Sequence, residues 1–330
     1  MKKFWKYFGR VWASIGAVLF LALVLVVGTV LILCTGPSVT ARNLFVNSAL
    51  ESSVGRLVVP IILGEDTLSE ITSYNTIEKT TEVTNTDLIV IPTEDTSSEE
   101  EPVEDIEFIP ITGESYNGIA ALVHDPSRVS VGVSGPFGPE YAGCSVKTMA
   151  DREGAILAVN GGGFDDPGGS GNGGTPMGIV IQEGKLVWGK PEEMYEVIGF
   201  DKDNKFVIGN MTGQQALDRG IKSALSYGPF LIVNGKPVAI NGEGSGLNPR
   251  TAIGQRADGT VILVVIDGRQ PNSLGATYSD LINIMSELGA VNAANLDGGS
   301  STMMYYNGEY INHYTSLYGP RGIPTSILVR

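Results

Sequence analysis

The sequence predicts an α+β fold: a mixed, hairpin-rich β-sheet core with a few helices, preceded by one transmembrane helix. Three observations carry this. Xaa-Gly pairs sit between β-prone runs, two stretches have helical character, and Val11 to Cys34 is apolar without one charge.

The elements follow in chain order. Residues 1–10 carry Lys2, Lys3, Lys6 and Arg10, so the positive-inside rule leaves this tail in the cytoplasm and the rest of the chain outside. Residues 11–34 form an uncleaved anchor, because the run is longer than the apolar region of a signal peptide and no clear small-x-small cleavage site follows. Cys34 lacks the small residue expected before a lipidated cysteine. Residues 35–64 are a membrane-proximal segment in which Thr40 caps a short helix carrying Leu44, Phe45 and Leu50. This segment meets either lipid or a neighbouring copy. Residues 65–109 hold 14 acids against the single Lys79, a balance of −13 out of the chain's −14. Such a composition predicts an acidic, disordered spacer.

Residues 110–330 then form one domain. G-I-V-I-Q-E-G-K-L-V-W, F-L-I-V-N-G-K-P-V and M-M-Y-Y-N-G-E-Y-I predict hairpins. M-T-G-Q-Q-A-L-D-R-G-I-K-S-A-L and Y-S-D-L-I-N-I-M-S-E-L-G-A predict helices, the second with Leu281, Ile284, Met285 and Leu288 on one face. The last helix lies between V-I-L-V-V-I-D and A-A-N-L-D. If these two strands are parallel, Asp267 and Asp297 leave the same sheet edge. Cys144 has no partner in the exported portion, so stability rests on the core. Export without disulfides suits a bacterial envelope.

Candidate chemistry concentrates at strand ends. A-N-L-D-G-G-S-S-T-M places Asp297, Gly298, Gly299, Ser300 and Ser301 after an apolar lead-in, and V-V-I-D-G-R-Q places Asp267 and Arg269 likewise. A-V-N-G-G-G-F ends a strand in Asn160 and opens into Gly161 to Gly163, expected to face a ligand, with Gly168 to Gly174 as a mobile loop. Arg250 in N-P-R-T and Arg269 are the cations best suited to an anion, since a guanidinium fork matches phosphate oxygens. Several classes fall away. No Gly-Lys-Ser or Gly-Lys-Thr follows the glycines, and no helix follows as a dinucleotide site needs. The two histidines, His124 and His313, lack zinc spacing. D-K-D-N-K reads as a hairpin turn rather than a calcium loop. No G-x-S-x-G elbow occurs, and Ser145 reads as ordinary structure. No basic stripe accompanies the aromatics, so nucleic acid is not an expected partner.

The set A-V-N-G-G-G-F, S-Y-G-P-F-L-I-V-N-G, N-P-R-T-A-I-G, V-V-I-D-G-R-Q, E-L-G-A and N-L-D-G-G-S-S-T-M resembles the phosphodiester glycosidase family over roughly residues 155–304. The family often has a third glycine where this chain has Ser300. The resemblance implies hydrolysis of a sugar-1-phosphodiester to free sugar and a phosphomonoester. Such a reaction needs a carboxylate and cations or amides for the departing phosphate, and the expected division gives Asp297 and Asp267 the carboxylate work, Arg250 and Arg269 the phosphate, and Asn160, Ser300 and Ser301, beside Gly161, Gly298 and Gly299, the holding of the substrate. The expected partners are a phosphodiester-linked glycan of the envelope or an exopolysaccharide, and the membrane through residues 11–34. No cofactor is implied; a divalent cation bridging Asp267 and Asp297 is the open alternative. The rival class is a non-catalytic glycan-binding or envelope-assembly module of the same fold.

Overall fold

The computed structural model describes residues 2–92, 105–167, 171–316 and 319–330, which form two compact units, Met1–Tyr74 and Asn75–Arg330. The first unit is helical: α1 (Lys2–Thr35), α2 (Val39–Leu50), α3 (Ser53–Leu63) and α4 (Glu65–Ser73). Within α1, Tyr7–Thr35 is long and apolar enough to cross a membrane, with a mean hydropathy of 3.1 in its most apolar stretch. That is compatible with a single-pass or signal anchor. The cap of α2 is Ser38, which accepts from the Ala41 N–H, and not Thr40. Thr40 instead lies inside the first turn.

The second unit opens with β1 (Thr76–Ile77), β2 (Ile106–Thr112), β3 (Asn117–Val123), β4 (Val129–Val133), helix α5 (Val146–Glu153), β5 (Leu157–Asn160), β6 (Val180–Gln182) and β7 (Lys185–Trp188). It continues with β8 (Met194–Asp201), β9 (Phe206–Thr212), α6 (Gly213–Asp218), β10 (Ile221–Ser226), β11 (Phe230–Val233), β12 (Lys236–Pro237) and β13 (Ile240–Asn241). The chain closes with β14 (Arg250–Arg256), β15 (Val261–Ile266), α7 (Tyr278–Glu287), β16 (Ala290–Leu296), β17 (Met304–Tyr306), β18 (Glu309–Tyr310) and β19 (Thr325–Val329). The fold is α+β, as expected.

Three antiparallel sheets surround a common core. Their orders are β12-β11-β16-β14-β15-β3-β2, β7-β6-β10-β8-β9 and β18-β17-β5-β19-β4. Alternate residues from each sheet meet in the middle: Val265, Ile253 and Leu296 from the first, Phe200, Phe206 and Leu225 from the second, and Val159, Met304 and Ile327 from the third. Each outer face takes a helix. Leu281, Ile284 and Met285 of α7 cover Ile262, Val264 and Ile266; α6 contributes Ala216 over Ile221 and Ala224; α5 contributes Met149 over Ala158 and Leu328. β15 is therefore buried along its whole length, which explains its unbroken V-I-L-V-V-I run.

The three Xaa-Gly hairpins form as the sequence predicts, as β6/β7, β11/β12 and β17/β18. Asn234 and Gly235 show why that pair is used, with φ of 53° and 76° in a two-residue turn. The Asp201–Lys205 segment is also a turn, in which Asp201 accepts from the Asp203 and Lys205 N–H groups. Of the first helical stretch, only Gly213–Asp218 is helical. Its remainder becomes β10, because I-K-S-A-L completes the second sheet between β6 and β8. Tertiary pairing there overrides local pattern. The second helix holds, with Thr277 and Asp280 forming a capping box.

The acidic segment is not a spacer along residues 65–109, and the folded domain does not begin at residue 110. α4 takes up Glu65–Ser73, and residues 75–92 form a strap on the β unit, while residues 93–104 lie outside the described residues. β1 pairs with β13, Thr84 exchanges hydrogen bonds with the Ile208 backbone, and the Val90 N–H donates to the Ala257 carbonyl at 2.8 Å. Ile89 is fully buried. The acids conceal the β-prone residues interspersed among them, and these carry the packing. A chain starting at residue 105 is expected to be less stable than one starting at residue 75 by roughly 2–4 kcal/mol, from lost apolar burial, measured by urea unfolding.

Candidate active site

β15 and β16 are both antiparallel to β14, so they run parallel to each other with β14 between them. Asp267 and Asp297 thus leave the same edge, where β14 begins at Arg250. The strand ends of the other two sheets reach this edge too, with Asn160 closing β5 and Tyr227 following β10.

Asp297 lies at the centre. The Gly298 N–H donates to its Oδ1 at 3.0 Å, and the Ser301 and Tyr227 hydroxyls also hydrogen-bond the carboxylate. Burial pushes its pKa from 3.8 up to about 6, against the opposing pull of these hydrogen bonds and of the Arg321 charge. The Asp297 charge is in turn the main cause of a strongly raised Tyr227 pKa, so Tyr227 stays a protonated donor. Asn160 is fully buried and fixes the loop from behind: its amide donates to the Asp297 carbonyl at 2.6 Å, while its Oδ1 accepts from the Thr251 hydroxyl and the Met303 N–H.

The glycine run explains itself by close approach. A Cβ at Gly161 would meet Thr325 Oγ1 at 2.6 Å, at Gly162 the Ser226 carbonyl at 2.5 Å, and at Gly163 the Tyr227 ring at 2.6 Å. These residues are buried, and the Gly161 N–H donates to the Thr325 carbonyl. The Asn160 side chain and Gly161 to Gly163 are thus taken up by protein atoms, and they let the third sheet touch the other two. Gly163→Ala is expected to cost about 1–3 kcal/mol of stability, because overpacking displaces the Tyr227 ring; thermal unfolding checks this. Within the expected loop, the Gly171 N–H donates to Asp166 and Asn172 donates to the Pro139 carbonyl. The remaining expected-loop residues 168–170 lie outside the described residues.

Arg250, only 3% exposed, does not present its fork to solvent. It donates to the Ala276 carbonyl, the Ser245 hydroxyl and the Gly246 carbonyl, and stacks on Tyr278 at 4.4 Å. Its contacts are those of a brace beneath the edge. Asp267 is similar. Its Oδ1 accepts from the Asn312 amide and the His313 N–H, both at 3.0 Å, and Asn312 holds the Met304 N–H and the Thr302 carbonyl. Burial raises its pKa as well. The two aspartates share an edge but no partner among their described hydrogen bonds.

Arg269 is exposed, with φ of 58°, and its guanidinium lies over Gly299: a Cβ there would sit 3.2 Å from Arg269 Nη2. Gly299 itself has φ of 61°, so glycine serves both the turn and the close approach. Gly298 is held against the Pro249 carbonyl, where a Cβ would sit at 2.7 Å. Ser300 faces Arg321, whose Nη1 reaches its hydroxyl at 3.5 Å.

Arg321, Tyr227 and Asp166 are the residues sequence reasoning missed. Arg321 donates to both oxygens of Asp166, at 2.8 and 3.0 Å, lies over Phe164 and acts on the Asp297 charge. A signal existed, for G-P-R-G repeats the Pro-Arg pair of N-P-R-T, and Tyr227 directly follows a β-prone run just before Gly-Pro. Among the described residues no three His, Cys, Asp or Glu side chains gather as a metal site. A groove of about 610 Å³ adjoins Tyr227, lined also by Lys79, Met177, Tyr195, Glu196 and Asn210. That lies within the usual range for a small-ligand site of about 300–1,000 Å³.

Comparison with known proteins decides the family. The family model described as "NAGPA: Phosphodiester glycosidase" matches residues 153–330, more than half of the chain. The chain belongs to the phosphodiester glycosidase family. This phosphodiester glycosidase domain is 31% identical over 179 residues to the SPbeta prophage-derived uncharacterized protein YomE of Bacillus subtilis, covering 51% of this chain and 27% of that one. It is 29% identical over 226 residues to the mouse N-acetylglucosamine-1-phosphodiester alpha-N-acetylglucosaminidase, covering 61% of this chain and 42% of that one. The chain thus spans less than half the length of these relatives. In fold it is similar to the zebrafish N-acetylglucosamine-1-phosphodiester alpha-N-acetylglucosaminidase catalytic domain auto-inhibited by its pro-peptide, with a TM-score of 0.58, 24% identity, and 71% and 86% of the two chains covered. A putative exported protein of Burkholderia pseudomallei shares the fold with a TM-score of 0.51 at 18% identity, covering 65% of this chain and 74% of that one. The strap and the helical unit precede residues 153–330, which the family model matches.

Proposed function

We propose that this family member is a membrane-anchored hydrolase that cleaves the sugar–phosphate bond of glycosyl-1-phosphodiesters, outside a bacterial cell, on envelope or exopolysaccharide glycans. The observation that supports it best is the convergence of the Asp297 carboxylate, the Tyr227 hydroxyl and the Arg321 guanidinium. Asp297 faces the positive charge that grows on the anomeric carbon and takes the proton of the attacking water. The C1–O bond breaks with its electron pair passing to the phosphate oxygen, where Arg321 and Arg269 meet the developing charge. Tyr227 and Ser301 hold the carboxylate in place. Asp267 and Arg250 position the loops rather than touch substrate, and the groove beside Tyr227 receives part of the glycan.

A phosphate diester leaves well without protonation, so the carboxylate form of Asp297 is the working one. kcat/KM is expected to fall as pH drops through about 6 and to level off above it, which a pH-rate profile reads directly. The activity itself is tested by incubating residues 75–330 with a panel of nucleotide sugars and synthetic sugar phosphodiesters. Free sugar is the expected product; binding without release would turn the reading toward a glycan-binding module.

A further inference from the structure

The short helix α3 carries an apolar stripe that nothing in its own unit covers. Val54, Leu57, Val58 and Ile61 are spaced at i, i+3, i+4 and i+7, and are 71, 72, 40 and 85% exposed. The opposite face is already used: Val59 is buried, and Ile62 and Leu63 pack with Cys34 and Val30 of α1, Val46 of α2 and Ile71 of α4. A helix that is apolar all round is stable where both faces are dry.

We propose that α3 lies in the outer boundary of the bilayer beside α1, with this stripe immersed in lipid. The proposal rests on the reading of α1 as a membrane span. Continuity selects lipid as the occupant. α3 packs on the C-terminal end of α1, whose own surface is apolar and exposed as far as Ile32 at 69%, so exposed apolar residues of both helices flank the contact between them. Eleven residues rise only about 17 Å, against about 30 Å of hydrocarbon, so α3 rests in the interface and does not span it. Arg56, the one charge on α3, is exposed and can snorkel to lipid phosphates. The next helix marks the watery side, since Glu65, Asp66 and Glu70 of α4 are all exposed. α3 is thus a second, lateral foothold in the membrane.

The test uses the full chain carrying Cys34→Ala and Cys144→Ser, with single cysteines introduced as Val24→Cys, Leu57→Cys, Ile61→Cys or Glu70→Cys. Each is labelled with an environment-sensitive fluorophore and reconstituted in phosphatidylcholine–phosphatidylglycerol vesicles. Positions 24, 57 and 61 are expected to be quenched by nitroxides on the acyl chains and protected from aqueous iodide, with position 70 the reverse. If 24 is quenched from lipid while 57 and 61 respond to iodide as 70 does, the foothold is overturned and the anchor stands. If 24 is reached by iodide, the anchor reading fails and takes this inference with it. If neither quencher reaches 57 and 61 and the labelled chains cross-link as pairs, a second copy covers the stripe and the proposal is wrong.

Discussion

Asp297→Asn is expected to lose at least about 10³-fold in turnover while becoming more stable at neutral pH. Both effects come from one carboxylate. In the folded chain its pKa is raised from 3.8 to about 6, so the folded state holds the proton more tightly than the unfolded one. Stability therefore declines as pH climbs from about 4 to about 6 and stays at the lower level beyond it. An asparagine keeps the shape and carries no charge to bury. The gain should be on the order of 1–3 kcal/mol at pH 8 and should vanish near pH 3, where Asp297 is neutral in both states. Paired thermal melts at the two pH values, beside sugar-release rates, check it. A variant with near-normal rates would remove Asp297 from the chemistry; one with no pH-dependent gain would remove the burial argument.

The second large effect belongs to Arg321. Arg321→Ala should lower kcat/KM by about 10²–10³-fold, because it removes the positive charge beside Asp297 that, on the proposed mechanism, faces the departing phosphate. Arg321→Lys should recover little, since an ammonium cannot reproduce the two-point contact with Asp166 at 2.8 and 3.0 Å. Asp166→Asn should cost only about tenfold, as it loosens Arg321 without removing its charge. Circular dichroism separates these losses from unfolding. Full activity in Arg321→Ala would hand the phosphate to Arg269 alone.

Much of the architecture could be read from local pattern. The Asn-Gly and Glu-Gly pairs mark real hairpins, and the order β15, α7, β16 brings Asp267 and Asp297 to one edge because the two strands are parallel across β14. What local pattern cannot carry is partnership. Asn160, Gly161 and Arg250 look like ligand-facing residues in the sequence, yet each is occupied by protein atoms from a segment far along the chain. The strap was hidden for a related reason. Its acids describe the solvent side of residues 75–92, while Ile77, Thr84 and Ile89 do the packing. Tyr227 and Arg321 become meaningful only when Asp297 is brought beside them.

The carboxylate stands where three sheets meet, with β5 behind it through Asn160, β10 beside it through Tyr227 and β16 leading into it. No single sheet owns the site. Peeling any one of them away would leave the other two with no usable centre, so partial unfolding should extinguish activity before most of the secondary structure is lost. For a domain of this kind, turnover would then serve as an early alarm for structural damage, sounding while spectroscopic probes of the bulk fold still read as native.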